Sequence, residues 1–149
     1  MRKEINTLII VMILILTGCS NREVIKHNYT YRGESEYWVA EYNVDGEGIF
    51  IDKNGSMSYE SHKKNILTVT YKNDLSELSS IRNLKVSYKS SVSGGSIAHS
   101  FDNGNPPMEK TYEIKSSGSG VAIESKDETI KVSIDIDGNI ETIELNSVG

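Results

Sequence analysis

Hydrophobic and polar residues alternate along most of the chain, and this period of two predicts β-strands. The alternation is clearest over residues 130–136, where Ile and Val side chains share one face and Lys131, Ser133 and Asp135 share the other. Turn dipeptides separate several of the alternating runs and predict tight hairpins, namely Asp45-Gly46, Asn54-Gly55 and Asp137-Gly138.

Helical signals beyond the N-terminal apolar run are confined to residues 74–83, where Asp74 could cap a turn and Leu75 and Leu78 would share one side. At most one short helix is therefore expected. Many short strands joined by glycine-rich turns predict an all-β fold, either an antiparallel β-sandwich of the immunoglobulin-like kind or a partly open barrel. The spacing of the strands favours the sandwich.

Two segments interrupt the alternation. Residues 93–107 contain glycines, asparagines and two adjacent prolines, which a regular central strand does not tolerate, so this stretch is predicted to be the longest loop. Residues 116–120 (SSGSG) predict a flexible turn, after which Val121 and Ile123 alternate as in another short strand.

The chain opens with the three-part pattern of a bacterial lipoprotein signal. Arg2 and Lys3 supply positive charge, residues 8–16 are uniformly apolar, and residues 16–19 (LTGC) have the form of a lipobox. The apolar run is too short for a comfortable transmembrane helix, which needs about 20 residues. We therefore predict cleavage between Gly18 and Cys19 and attachment of acyl chains to Cys19, which would anchor the protein stably in a membrane.

An uncleaved N-terminal membrane helix is the alternative, and the small residues before Cys19 fit it less well. The lipoprotein interpretation divides the chain into a signal peptide (residues 1–18), a short lipidated tether (19–27) and one β-domain (28–149). It also predicts a location at the extracytoplasmic face of the cell membrane.

Composition narrows the range of partners. Removal of residues 1–18 leaves 131 residues, enough for one domain with a modest core, and changes the formal net charge from −5 to −6. An acidic domain lacks the basic patch that nucleic-acid binding requires, and it disfavours broad docking on anionic headgroups. Because Cys19 is the only cysteine, stability must come from sheet pairing and core packing without a disulfide.

Three blocks of sequence give the chain a family resemblance. They are residues 31–42 (YRGESEYWVAEY), residues 84–89 (LKVSYK) with Gly94-Gly95 soon after, and residues 130–145 (IKVSIDIDGNIETIEL). The chain resembles a group of small, uncharacterised lipoproteins of Gram-positive bacteria of the Bacillus and Clostridium type, over nearly all of its predicted mature length. The resemblance implies location and fold, and it implies no chemistry.

Two motifs invite a functional interpretation and also have a structural one. Glu34 and Glu36 could bind a cation while Trp38 stacks on a sugar, but Trp38 as the main anchor of the core is the favoured interpretation. Asp135-x-Asp137-Gly138 resembles the start of a calcium loop, yet Ile140 and Asn146 stand where such a loop needs Gly and Glu. A hairpin turn explains these residues better.

Other chemistry has little support in the sequence. His27, His62 and His99 are scattered without metal-ligand spacing, and no metalloprotease, nucleophile-elbow or phosphate-loop motif occurs. We expect no metal, no cofactor and no enzymatic activity. The expected function is a binding or interaction module of the cell envelope, with Asp102, Asn103 and Asn105 as a candidate interaction loop.

The expected partner is an envelope protein or a wall polymer, in addition to the membrane itself. Two alternatives remain from the sequence. The first is a carbohydrate- or small-ligand-binding lipoprotein that uses exposed aromatic side chains. The second is a hydrolase of unrecognised type.

Overall fold

The computed structural model describes residues 21–102 and 104–149, which form a single sheet of eight antiparallel strands. The strand order across the sheet is β5-β4-β7-β8-β1-β2-β3-β6. The strands are β1 (Asn21–Glu34), β2 (Trp38–Lys53), β3 (Ser56–Tyr71), β4 (Asn83–Lys89), β5 (Gly94–Ser100), β6 (Thr111–Ser119), β7 (Ile130–Ile136) and β8 (Asn139–Ser147). The described residues hold no helix with the length and hydropathy of a membrane span.

The sheet curls until its two outermost strands, β5 and β6, come close to each other without forming a ladder. The rings of His99 on β5 and Tyr112 on β6 lie 5.4 Å apart across this seam. The all-β prediction is confirmed. The protein has the partly open barrel and not the sandwich that the strand spacing favoured, because its eight strands form one continuous curled sheet. Residues 74–83 contain only one 3-10 turn, Leu75–Leu78, in which Leu78 is buried.

Two half-sheets, β5-β4-β7-β8 and β1-β2-β3-β6, meet at a narrow junction between β1 and β8. Only Tyr31 with Ser147 and Arg32 with Asn146 pair across it. The next residue along β1 is Gly33, whose position would bring a Cβ into collision with the Glu144 carbonyl oxygen and within 2.9 Å of the side chains of Ile143 and Leu145. Glycine at this position therefore allows β1 and β8 to approach closely enough to join the half-sheets.

The barrel interior is filled by the inward-facing residues of both half-sheets, and aromatic rings dominate one side of it. Trp38 is fully buried, with its ring centroid 5.0 Å from that of Tyr71 and 6.2 Å from that of Tyr112. The structural interpretation of Trp38 is thus confirmed. The fully or nearly fully buried apolar residues also include Tyr31, Ala40, Tyr42, Leu67, Val69, Leu84, Val86, Ile130, Val132, Ile134, Ile143 and Leu145.

The strands of the two half-sheets differ in length. The strands β1, β2 and β3 have 14, 16 and 16 residues, whereas β4, β5 and β7 have 7 residues each. The long strands therefore continue past the barrel as a three-stranded extension made of residues 21–25, 48–53 and 56–61, which we call the ribbon. Its ladder partners are its own three strands, and at about 3.3 Å per residue it is about 20 Å long.

The ribbon defines the two ends of the molecule. The loops at the opposite end, which we call the distal end, are residues 35–37, 72–82, 101–110 and 137–138. Residues 90–93 and 120–129 close the barrel at the end from which the ribbon extends.

The start of the fold differs from expectation. Residues 21–27, expected to belong to the tether, pair with residues 46–52 of β2 and lie in β1. Polar side chains do not prevent this, because the backbone supplies the ladder hydrogen bonds and both faces of the ribbon end are exposed. The described fold thus already begins at Asn21, ahead of the expected domain boundary at residue 28.

Three further segments differ from their predicted conformations. Asp45-Gly46 lies inside β2 and makes no hairpin turn, because both residues pair with β1 on one side and with β3 on the other. Residues 94–100 lie in β5 and not in a loop, because an edge strand tolerates Gly94 and Gly95, while both prolines fall after the strand. Residues 116–119 continue β6, and residues 121–129 contain no strand although Val121 and Ile123 alternate.

Candidate functional site

A buried cluster of polar side chains lies inside the barrel near the base of the ribbon. Lys63 Nζ is 3.0 Å from Glu124 Oε2, and the two side chains are 5% and 0% exposed. The Tyr42 hydroxyl donates to Glu124 Oε1 at 2.9 Å, and Ser90 Oγ donates to the same oxygen at 3.1 Å. The carboxylate is therefore charge-paired and hydrogen-bonded at once, which offsets much of the cost of its burial.

Glu124 reaches this position because residues 120–129, the plug segment, cross the end of the barrel from which the ribbon extends. The Tyr31 hydroxyl donates to the Ser125 carbonyl at 2.7 Å. Ser61 holds the other side of the plug, accepting the Gly120 amide at its carbonyl (2.8 Å) and donating through Oγ to the Val121 carbonyl (2.7 Å). These bonds supply the irregular segment with the partners that a strand ladder would otherwise give it.

Asn65 extends the cluster toward the loop between β4 and β5. Its Nδ2 donates to the Tyr42 hydroxyl at 2.6 Å and to Ser93 Oγ at 3.2 Å. Its Oδ1 is buried and has no hydrogen-bond partner among the described residues. Burial, reinforced by the negative charge of Glu124, raises the pKa of the Tyr42 hydroxyl well above its usual range, so Tyr42 remains a donor to that carboxylate.

The burial of this cluster favours a structural role. It combines a carboxylate, an ammonium and hydroxyl groups, yet Glu124 and Tyr42 are fully buried. A substrate would have to displace the plug segment to reach them. Catalysis would need convergent groups that a substrate can touch, and this cluster is closed to solvent.

Sequence reasoning missed this cluster. Glu124 sits in a stretch of polar residues that resembles an ordinary exposed loop. The available signal was on β3, where Lys63 and Asn65 occupy inward positions of the alternation that continues through Leu67 and Val69. Polar residues at inward positions require buried partners.

The candidate interaction loop lies at the distal end, between the edge strands β5 and β6. Asp102 and Asn105 are exposed and joined in a turn, in which the Asn105 amide donates to the Asp102 carbonyl at 3.0 Å. Phe101 packs against the core before the loop, and Met108 is 88% exposed near its end. The third residue named from the sequence, Asn103, lies outside the described residues, as do Gly18 and Cys19 of the predicted cleavage and lipid site.

The carboxylates of the calcium-like motif accept backbone amides, one within the β7–β8 turn and the other at the start of β4. Asp137 accepts the backbone amides of Arg82 and Asn83 at 3.1 and 2.8 Å, and these hydrogen bonds lower the pKa of its carboxyl group. Asp135 Oδ1 accepts the Gly138 amide at 2.8 Å. The hairpin interpretation is confirmed, and in the part of the chain that the structure describes no three His, Cys, Asp or Glu residues are placed to hold a metal ion.

A shallow groove of about 370 Å³ follows the seam between β5 and β6, next to the candidate interaction loop. His99 stacks on Phe101 with ring centroids 6.2 Å apart and an interplanar angle of 14°. The groove therefore offers an exposed imidazole and carboxylates close to an aromatic pair. Its lining residues are Ile97, His99, Glu109, Thr111, Tyr112 and Glu113.

Comparison with known proteins assigns this chain to no family. The chain matches no protein-family model, no curated protein and no solved structure.

Proposed function

We propose that this chain is a lipoprotein held at the extracytoplasmic face of the cell membrane through Cys19, and that its barrel is a non-enzymatic binding module of the cell envelope. The lipobox of residues 16–19 supports the anchor. The partner is an envelope protein or a wall polymer, contacted by the loop of residues 101–110.

The direction of β1 carries this proposal. The strand begins at Asn21, two residues after Cys19, and its 14 residues lead from the ribbon to the distal end. At about 3.3 Å per residue β1 spans about 45 Å. A membrane anchor on Cys19 would thus leave residues 101–110 facing away from the membrane, with Asp102, Asn105 and Met108 accessible to the envelope.

The absence of catalysis is proposed from the state of the polar groups. Glu124, Lys63 and Tyr42 form a satisfied and closed cluster, and the exposed carboxylate Asp137 is bound by backbone amides. Neither place offers an activated nucleophile or base to a substrate. Binding through an exposed, rigidly mounted loop is the simpler use of this fold.

The anchor is tested by mass spectrometry of the intact protein from a Gram-positive expression host. We expect a chain that starts at Cys19 and carries acyl chains, recovered in the membrane fraction. Cys19→Ala should be uncleaved at this position and unlipidated. An unmodified thiol on protein that is released into the medium would contradict the proposal.

The binding loop is tested by site-specific photo-crosslinking in cells. A crosslinker at Met108 should give a discrete adduct, and the double variant Asp102→Ala with Asn105→Ala should reduce its yield. The control crosslinker is placed at Val92, an exposed residue at the other end of the barrel. Equal adducts from positions 92 and 108 would show that the loop does not select the partner.

The groove along the seam favours one alternative function, the binding of a carbohydrate or another small polar ligand. His99 and its stacked neighbour Phe101 would supply the aromatic surface, whereas Trp38 is fully buried and cannot contact a ligand. Titration with wall fragments should raise the melting temperature, and His99→Ala should abolish the increase. No change in melting temperature across a panel of glycans would rule this alternative out.

A further inference from the structure

The ribbon leaves apolar side chains uncovered at the end of the molecule where the described chain begins. Met57 is 67% exposed and Tyr59 is 53% exposed, and Val24 and Ile25 are also exposed. In the barrel, residues of the same three strands are buried by the opposite half-sheet. A water-exposed extension with apolar residues at these positions indicates a surface that another phase or molecule covers.

Apolar residues occupy both faces of the ribbon. The strand register places Ile25, Phe50 and Tyr59 on the face that continues the barrel interior, and the rings of Phe50 and Tyr59 lie 4.8 Å apart. Val24 and Ile51 lie on the opposite face and are exposed or half-buried, whereas their neighbour Ile49 is already buried by protein. A partner that covers one face would leave the other in water, whereas a fluid apolar phase covers both.

The ribbon tip lies close to Asn21, which follows the proposed anchor by two positions in the sequence. Asn21 pairs with Asp52, so the hairpin turn of Asn54 and Gly55 extends only about two residues beyond the start of β1. One residue, Ser20, separates Cys19 from Asn21, so the two Cα atoms are at most about 7 Å apart. An acylated Cys19 would therefore hold the tip at the membrane surface whatever the orientation of this short connection.

We infer that the tip of the ribbon inserts into the apolar boundary of the lipid bilayer beside the Cys19 anchor. This inference rests on the proposed lipid anchor. Interfacial elements lie about 5–10 Å into the headgroup–acyl boundary, which corresponds to two or three residue levels of a strand. Ile51 and Met57 then lie at this boundary, with Tyr59 on its headgroup side, where tyrosine rings are enriched.

The contact is apolar and not electrostatic. The ribbon carries two cationic side chains, Arg22 and Lys53, against the three carboxylates of Glu23, Asp52 and Glu60. This near balance gives anionic headgroups no net attraction, in keeping with the acidic charge of the whole chain. Binding should therefore be similar on zwitterionic and anionic bilayers.

Labelling at two matched positions tests the inference. Met57 and Ile140 are 67% and 65% exposed, but Ile140 lies beside the β7–β8 turn at the distal end. The full chain carrying Met57→Cys or Ile140→Cys is produced in its lipidated form, labelled with an environment-sensitive fluorophore and reconstituted into phosphatidylcholine vesicles. When Cys19 is acylated, the introduced cysteine is the only free thiol.

At position 57 we expect a blue-shifted emission and quenching by spin-labelled acyl chains that is several-fold stronger than at position 140. Adding Ile51→Asp to Met57→Cys should reduce the quenching, and adding Ile140→Asp should leave it unchanged. Replacing half of the lipid by phosphatidylglycerol should also leave it unchanged. A blue shift and quenching at position 57 that occur only on anionic vesicles would contradict an apolar contact.

Two other outcomes would also overturn the inference. Equally weak quenching at positions 57 and 140 on protein that floats with the vesicles would mean that the ribbon stands in water, while the anchor itself holds. A blue shift at position 57 that grows with the protein-to-lipid ratio would assign the cover to a second copy of the chain. Protein that fails to float, with an unmodified Cys19 in its mass spectrum, would instead refute the anchor and with it the inference.

Discussion

The strands β1, β2 and β3 are packed at one end and exposed at the other, and the two regions differ in what lies opposite them. In the barrel, Trp38, Tyr42 and Leu67 are fully buried because β4, β7 and β8 cover them. In the ribbon, Met57 and Tyr59 continue the same strand with the same alternation and remain exposed. Burial along a strand is therefore decided by the length of the facing layer and not by the residues alone.

The loss in the free energy of unfolding should differ most between removal of the buried Glu124 and removal of an exposed glutamate. Glu124→Ala leaves the Lys63 ammonium buried without its partner, and we expect a loss of about 3–5 kcal/mol in the free energy of unfolding. Urea unfolding measures it. The control is Glu144→Ala, which breaks the exposed pair with Lys131 and should cost at most about 1 kcal/mol. Similar losses in the two variants would contradict the structural role of the cluster.

Truncation at two positions of β3 compares barrel and ribbon within one strand. Leu67→Ala should lower the free energy of unfolding by about 2–5 kcal/mol, because it leaves a cavity in a filled interior. Met57→Ala should change it by less than about 0.5 kcal/mol in the absence of lipid. If Met57→Ala destabilised the protein as much as Leu67→Ala, the ribbon would have to be covered by protein in solution.

Gly33→Ala tests the junction that joins the two half-sheets. Its Cβ would meet the Glu144 carbonyl and the side chains of Ile143 and Leu145, so β1 and β8 must separate, at a cost of about 1–3 kcal/mol. Gly94→Ala on the edge strand β5 meets only the Tyr88 carbonyl, at 3.3 Å, and should cost less than about 0.5 kcal/mol. The reverse order in thermal denaturation would show that the junction tolerates a side chain.

The smallest expected effect is a change in the pH dependence of stability. Because the pKa of Tyr42 is raised in the folded state, both states keep the phenol protonated below pH 10. Above about pH 10 the unfolded chain releases this proton and the folded chain does not, so the free energy of unfolding falls by up to about 1.4 kcal/mol per pH unit. Tyr42→Phe should make this fall less steep between pH 10 and 11 without abolishing it, since burial also raises the pKa of Tyr31.

The matched control for the pH experiment is Leu67→Ala, which removes no titrating group. It should lower the free energy of unfolding by the same amount at every pH. An equal slope in Tyr42→Phe and in the unchanged protein would mean that the Tyr42 hydroxyl is not shielded from solvent.

The sequence predicted most strands of the barrel and the role of Trp38, because alternation and aromatic burial are local signals. It predicted a loop over residues 94–100, which form the edge strand β5. It did not predict that residues 21–27 pair with β2, since their polar composition resembles a tether and only the length of the partner strand determines the pairing. Val121 and Ile123 alternate without forming a strand, because their segment crosses the end of the barrel, where Ser61 binds the Gly120 amide and the Val121 carbonyl in place of a strand ladder.

The candidate site was less predictable than the fold. Asp102 and Asn105 are found on an exposed loop as expected, but the Glu124 cluster joins residues far apart in the chain, namely Tyr42, Lys63, Ser90 and Glu124. Such a cluster depends on how the plug segment crosses the barrel end. A single sequence carries no local pattern for that crossing.

The orientation of β1 also has a mechanical consequence. All of its residues from Asn21 to Glu34 pair with β2, in an antiparallel ladder that leads from the ribbon toward the distal loops. A pulling force applied at Asn21, with residues 101–110 held by a bound partner, would shear β1 along β2. The backbone hydrogen bonds between the two strands would then bear the force together instead of breaking one after another. We therefore expect a domain pulled between a bilayer and a wall in this direction to unfold abruptly and at high force.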